Sequence, residues 1–371
     1  MKVLQLLTSR KSRGAEISAF LLSEELLKNQ IEVWFVGLFP VEADTALTLS
    51  SGKSLDLDGD SRSFLDYKLV FNLRKVIKEF EPDIIQANGS DTWKYAVVAL
   101  LGNSKPKLIY RNISILSYWL RDRAAVKVFY KMLATRVDYF CSVGTQSNAD
   151  ITRELRLEDS KTGIIRRGIS HAPADDEDRI AIREKFKIRP EAFLLIQVGQ
   201  LSAEKNVAYS LELVATLKDS IKDFRFLVVG TGSEESKLKG RVKELAIEDL
   251  VIFAGYQAEV GKMLYSADLL LLTSKIEGVP GVVVEAAFQG VPTIASDVGG
   301  VRETILSGES GVLIKDFEIE QYKLAVLDLY NHPQKRIAMG KNAFNFAQSR
   351  FSLRNSSSDF IALYESLSTD K

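Results

Sequence analysis

Two carboxylates, Glu277 and Glu285, stand with seven residues between them in Glu277-Gly278-Val279-Pro280-Gly281-Val282-Val283-Val284-Glu285. An apolar run, Leu269 to Leu272, precedes them, and a short helical pattern follows that stops at Gly290 with Pro292 just beyond. Pro280 and Gly281 allow a tight turn, and at Gly281 a ligand can approach the backbone closely. A helix starting there opens with unpaired N–H groups and the positive end of its dipole near Gly281 and Val282, which favours an anion such as phosphate. Glu277 falls just outside that helix and Glu285 just inside it. One carboxylate therefore reaches a ligand beyond its phosphates while the other reaches back along it. Carboxylates accept two hydrogen bonds at once, which suits vicinal sugar hydroxyls. The bland alternative is an exposed helix start with an incidental acidic pair.

A cation stands in a second segment, Val198-Gly199-Gln200-Leu201-Ser202-Ala203-Glu204-Lys205-Asn206, which follows an apolar run and opens a helix. Gly199 permits close approach, and the Lys205 ammonium is either a point charge for a diphosphate or a plain surface lysine. Gly230-Thr231-Gly232 and Gly255-Tyr256 end two more apolar runs. Alone, the first is a tight turn and Tyr256 an ordinary lining residue. The loop Ser9-Arg10-Lys11-Ser12-Arg13-Gly14-Ala15-Glu16 after the first apolar run presents backbone N–H groups and cations, or is a solvated basic turn. Asp56-Leu57-Asp58-Gly59-Asp60 has the Asp-x-Asp spacing of a manganese site, but it sits in a polar stretch and reads as a solvated loop. The two histidines, His171 and His332, read as structural or exposed, so no histidine general base is visible.

The elements that must position these groups alternate along the chain as short apolar strands and longer amphipathic helices, the mark of parallel α/β sheets. The 371 residues suit two domains. Lys+Arg and Asp+Glu both number 49, so no net field points to nucleic acid. The single cysteine, Cys141, excludes an internal disulfide framework and fits a reducing compartment. No apolar run approaches membrane-spanning length and no cleavable signal pattern opens the chain, so the expected location is cytoplasmic. Strands are expected at 3–7, 31–36, 83–87, 107–110, around Cys141 and at 163–166, with residues 40–65 a polar stretch of weak periodicity. Arg167 to Asp178, with its acidic run Asp175-Asp176-Glu177-Asp178, reads as an interdomain linker. A second βα series starts at Phe193, and Phe351 to Leu367 reads as a final helix. The helix expected from Ser117 to Thr135 is basic and aromatic. It rests on an anionic membrane surface, or it faces the core with a charged outer side.

The Glu-x7-Glu arrangement, with Ser274-Lys275-Ile276 before it and Gly290 to Glu303 after it, resembles the retaining glycosyltransferases of the GT-B fold, specifically glycosyltransferase family 4 (group 1). The resemblance implies two Rossmann-like doubly wound domains facing a cleft, with the C-terminal helix crossing back to the N-terminal domain. The domains would be residues 1–170 with 352–371 on the acceptor side, and 171–351 for the donor. It implies sugar transfer from a nucleotide-diphosphate sugar to an acceptor hydroxyl, in cell-surface polysaccharide or glycolipid assembly, with no metal or other cofactor. Glu277 and Lys205 would carry the chemistry, Glu277 on hydroxyls of the transferred sugar and Lys205 on the diphosphate. Glu285 would hold the donor ribose, with Gly14, Gly199, Gln200, Gly230, Tyr256, Gly281 and Val282 lining the donor. Asn88 and Asn112 would lie on the acceptor side, where a glycan or lipid-linked acceptor enters, with peripheral contact to the inner face of a membrane. Three departures stand out. Gln200 replaces an arginine that usually holds the diphosphate, leaving Lys205 alone or with help from Arg10, Arg13, Arg166 or Arg167. Arg13 replaces a glycine. The usual acceptor-side histidines are absent, which a retaining mechanism tolerates because the departing phosphate can accept the proton. A nucleotide-sugar epimerase and a non-catalytic nucleotide-sugar-binding subunit are the alternatives.

Overall fold

A computed structural model gives the fold and describes residues 1–12, 14–42, 45–60, 65–103, 105–120, 124–169 and 172–369. Two compact units emerge, Met1–Ser170 with Phe351–Lys371, and His171–Arg350. The first holds β1 (Lys2–Ser9), α1 (Gly14–Lys28), β2 (Glu32–Phe39), β3 (Lys53–Asp56), α2 (Tyr67–Phe80), β4 (Ile84–Asn88), α3 (Ser90–Ala99) and β5 (Lys107–Asn112). It continues with α4 (Leu116–Trp119), α5 (Ala124–Ala134), β6 (Tyr139–Ser142), α6 (Thr145–Leu155) and β7 (Thr162–Ile164). Its strands are all parallel, in the order β3-β2-β1-β4-β5-β6-β7. Helices cover both faces, so strand residues are apolar on both sides. Leu4 and Leu6 join one core with α2 and α3, while Val3 and Leu7 join the other with α1.

The second unit runs α7 (Asp176–Lys185), β8 (Phe193–Val198), α8 (Val207–Leu217), β9 (Phe224–Val229), α9 (Glu235–Glu244), β10 (Val251–Gly255), α10 (Val260–Tyr265) and β11 (Leu269–Leu272). Then come α11 (Gly281–Phe288), β12 (Thr293–Ser296), β13 (Gly311–Ile314), α12 (Ile319–Asn331) and α13 (Pro333–Phe351). Its parallel strands lie in the order β10-β9-β8-β11-β12-β13. In such sheets ligands bind outside the carboxyl ends of the strands, where the order reverses. Here that point lies between β8 and β11.

The final helix, α14 (Leu353–Thr369), belongs to the first unit and packs on α1. Four buried side chains close a hydrogen-bonded ring there. Gln5 Nε2 donates to Tyr364 Oη (3.3 Å), Tyr364 Oη to Gln86 Oε1 (2.6 Å), Gln86 Nε2 to Asn88 Oδ1 (3.0 Å), and Asn88 Nδ2 to Gln5 Oε1 (3.0 Å). Each member both donates and accepts, which is what makes polar groups tolerable at this depth. Burial pushes the Tyr364 hydroxyl above the usual phenol range.

Several sequence expectations need correction. The stretch 40–65 contains β3, too short and too polar to show a period but paired with β2 from Trp34↔Lys53 to Gly37↔Asp56. Asp56 is not solvated: both its oxygens accept from Arg10, at 2.8 and 2.9 Å. The expected helix 117–135 is α4 and α5, on either side of residues 121–123, which lie outside the described residues. The expected strand 163–166 is Thr162–Ile164. The acidic run 175–178 is not linker but the start of α7. Asp175 accepts from the Asp178 backbone N–H at 2.9 Å, and Asp178 reaches back at 3.4 Å to close a capping box.

Candidate active site

At the order reversal of the second sheet, the loop after β8 carries Lys205 and the loop after β11 carries Glu277. Lys205 Nζ donates to Glu277 Oε1 at 2.5 Å, with the Glu277 side chain 10% exposed and that of Lys205 29%. A carboxylate so far removed from water needs this partner. The loops are also joined through their backbones, Lys275 N–H donating to the Glu204 carbonyl at 2.8 Å. After β11 the chain turns at Pro280, the N-cap residue, into α11, whose first-turn N–H groups start at Gly281 and Val282. Pro280 has no side-chain oxygen or nitrogen with which to cap them. Glu285 lies one turn into α11, half-buried.

Glycines make this edge of the sheet possible by letting backbones touch. Gly230 has φ +129°, and a Cβ there would fall 2.0 Å from the Gly199 carbonyl oxygen. One at Gly232 would fall 2.2 Å from the Leu201 carbonyl oxygen, so the Gly230-Thr231-Gly232 turn is wedged under the Lys205 loop. Gly199 donates its N–H to Val229, and its own would-be Cβ faces the Lys205 methylenes at 3.7–3.8 Å. On the other side, the Gly300 N–H donates to the Glu277 carbonyl at 3.2 Å, while a Cβ at Gly299 would lie 1.8 Å from that same oxygen. Thus Glu277 is clamped between Lys205 and the 299–300 loop. Gln200 projects into solvent, as does Tyr256, 66% exposed beyond Gly255.

Within the first unit, Gly14 begins α1, and a Cβ there would meet Arg167 Nη1 at 3.4 Å. Arg10, a candidate stand-in for the missing diphosphate cation, is held bidentate by Asp56, and Arg13 lies outside the described residues. Asn88 and Asn112 end β4 and β5 but turn inward. Asn88 is a member of the ring with Gln5, Gln86 and Tyr364. Asn112 Nδ2 donates to the Ser147 carbonyl at 3.0 Å and to Ser142 Oγ at 3.4 Å. Both are buried, so they shape the loops that follow them rather than offering free amides. Beside them Arg111 is buried with its Nη2 on Ser18 and its guanidinium over the Phe360 ring, and burial lowers its pKa. His332 closes α12 by bonding Asp328, and His171 lies outside the described residues. Among the described residues no cluster of three or more His, Cys, Asp and Glu side chains is placed to hold a metal ion. Among them, too, no helix is long and apolar enough to cross a membrane.

Sequence reasoning missed Gln197, buried near the end of β8, and did not see that Gly299 and Gly300 support Glu277. A Gly-Gly pair was the one available signal for the latter; a glutamine in an apolar strand gave none for the former.

This geometry is that of a doubly wound, Rossmann-like unit, and comparison with known proteins defines the class. Residues 178–346 match the model for glycosyl transferases group 1, and residues 12–172 match that for glycosyltransferase family 4. An uncharacterized glycosyltransferase of Haemophilus influenzae is 32% identical over 275 residues, 74% of each chain. The chain therefore belongs to the group 1 glycosyltransferases of family 4. A galactosyltransferase of Escherichia coli, named for transfer from UDP-Gal to alpha-D-GlcNAc-diphosphoundecaprenol, is 24% identical over 291 residues, 76% of this chain and 74% of its own. Against an alpha-D-kanosaminyltransferase of Streptomyces kanamyceticus, 28% identical, the match spans about half of each chain, 52% of this one and 51% of the relative. The fold is GT-B: Anabaena HepE, solved with UDP and glucose, superposes with a TM-score of 0.87 at 20% identity over 99% of this chain and 100% of its own.

Proposed function

We propose that this protein is a retaining glycosyltransferase that moves a sugar from a nucleotide-diphosphate sugar to an acceptor hydroxyl in cell-surface polysaccharide or glycolipid assembly. The observation that carries this reading is the Lys205–Glu277 pair at the order reversal of the second sheet, beside the open N-terminus of α11. The donor diphosphate takes Lys205 and the first N–H groups of α11, and Glu277 is released to the hydroxyls of the transferred sugar. Glu285 takes the ribose, and the nucleotide lies along the turn that Gly199 and Gly230 make possible by packing backbone on backbone, with Gln200 and Tyr256 at its edge. The bond from the anomeric carbon to the phosphate oxygen breaks while a bond to the acceptor oxygen forms on the same face. The acceptor proton passes to the departing diphosphate, so no histidine is required. Lys205 and the helix end stabilise the charge that develops on the leaving group. No metal or other cofactor takes part. The acceptor, a glycan or lipid-linked glycan, meets the first unit near Gly14 and the loops shaped by Asn88 and Asn112. The enzyme works in the cytoplasm, with peripheral contact to the inner face of the membrane. The bound UDP and glucose of HepE and the lipid-diphosphate acceptor in the Escherichia coli relative's name support this assignment.

The test is a thermal-shift panel of UDP-, GDP- and ADP-sugars on wild type and Glu285→Ala. A donor at about 100 times its Kd adds about 2.7 kcal/mol, a rise of roughly 5–10 °C for a unit of this size. That shift should appear for one nucleotide class and vanish in the variant, and Glu277→Ala should abolish transfer. Absence of any shift in wild type overturns the reading. Binding without transfer would instead favour a non-catalytic subunit, for which the neutral Gln200 is the motive.

A further inference from the structure

We infer that Gln197 is a positioning residue that sets Lys205 against Glu277; the inference rests on the donor-site reading above. Gln197 is the penultimate residue of β8 and is buried, 3% exposed. Its Nε2 donates to the Lys205 backbone carbonyl at 3.1 Å and to Thr273 Oγ1 at 3.3 Å. Thr273, the first residue beyond β11, donates in turn to the Asn206 carbonyl at 3.1 Å and shares a 2.8 Å hydrogen bond with Ser210 of α8. One buried amide thus ties the backbone of the residue bearing the cation to the root of the loop bearing Glu277. The tie crosses the gap between β8 and β11, where the sheet order reverses.

The other end of the amide marks it as more than filler. Gln197 Oε1 and Ser274 Oγ are buried without a hydrogen-bond partner among the described residues, and both flank Thr273. In the second unit no other described side-chain atom is left so. A residue selected for stability alone would be apolar here, since a half-satisfied buried amide is a poor substitute for well-packed methylenes. Retaining it makes sense if the donated bonds fix something the fold does not need but a ligand does. Asn206 next door is the N-cap residue of α8 and takes the left-handed conformation, φ +52°, so the Lys205 backbone sits between that sharp turn and the amide that anchors it.

The experiment measures binding of nucleoside di- and monophosphates by calorimetry to wild type, Gln197→Met, Lys205→Ala and the double variant. Methionine keeps length and volume and removes the donor. Gln197→Met should lose about tenfold in diphosphate affinity, keep its monophosphate affinity, and melt within a few degrees of wild type. In the Lys205→Ala background it should have no further effect, because the residue acts through Lys205. In turnover, kcat/KM should fall by about 10- to 100-fold, the range expected for a misplaced charge. Equal loss for both nucleotides, or full additivity with Lys205→Ala, would reduce Gln197 to a structural residue and overturn the inference, as would unchanged diphosphate binding. If wild type binds no nucleoside diphosphate, the donor-site reading fails and takes this one with it; unchanged binding in the variant alone leaves that reading standing. Should Gln197→Met not fold, Thr273→Val removes the same tie from its far end and must show the same selective loss of diphosphate.

Discussion

Gly299→Ala offers a sharp trial of the idea that touching backbones hold the site. Gly299 has φ +54°, and its missing Cβ would stand 1.8 Å from the Glu277 carbonyl oxygen, whereas real Cβ contacts are essentially never under 3.0 Å. The loops must therefore part by at least 1.2 Å, the difference between those distances. Left-handed geometry costs an alanine about 1–2 kcal/mol, and forcing extra volume into a packed contact costs about 1–3 kcal/mol. Together these give a loss of about 2–5 kcal/mol, or roughly 10 °C in Tm for a unit of this size. The same displacement breaks the 3.2 Å bond from the Gly300 N–H and carries Glu277 away from Lys205, so donor turnover should fall by about 100-fold. Gly240→Ala is the control. Gly240 lies within α9 with nothing within 4 Å of its would-be Cβ, and alanine there should raise stability by about 0.5–1 kcal/mol. Denaturant unfolding with donor turnover on both variants decides the matter. A Gly299→Ala protein as stable and as active as wild type would refute the clamp.

Two further outcomes test the scaffold. Asp268 accepts from Arg183 (3.0 Å), Arg179 (3.3 Å) and the Leu194 backbone (2.8 Å), and burial holds the Arg183 guanidinium below its ordinary pKa. Asp268→Asn leaves that buried cation without its counter-charge and should cost about 3–5 kcal/mol in denaturant unfolding. Cys141 is fully buried and burial pushes its thiol up to about 12, so a thiol reagent at pH 8 should label it only on unfolding. Because the folded value is the higher one, its contribution to stability is complete below the ordinary thiol pKa. It is lost as pH rises from there towards 12.

The sequence made the parallel strands legible wherever both faces are covered, since Leu269–Leu272 or Phe193–Val198 can be little else. It also placed Glu277, Lys205 and their glycines in one neighbourhood, because each lies just past such a strand. It did not show β3, whose Lys53-Ser54-Leu55-Asp56 carries no period and is a strand only because β2 offers an edge. The acidic run at 175–178 looked like solvent-loving linker, although the same residues are what a helix start wants for its unpaired N–H groups. The family resemblance sets Asn88 and Asn112 on the acceptor side, and nothing local says which way their amides point. Their inward turn depends on Tyr364 and Ser147, partners distant in sequence that no local pattern reveals. Gln197 was invisible for the same reason.

The ring of Gln5, Gln86, Asn88 and Tyr364 has a bearing on how the protein is made. Three of its members are synthesised early, and the fourth arrives only after the whole second unit has left the ribosome. Until then the three amides lack the hydroxyl that closes their ring, and the core of the first unit lacks Phe360 and Tyr364. The chain leaves and re-enters this unit at neighbouring points, Ile169 donating its backbone N–H to Phe351 at 2.9 Å. The second unit can thus fold as an insertion while the first waits. Birth order and structural order run opposite ways here, and the last helix is the stitch that closes the oldest part of the polypeptide.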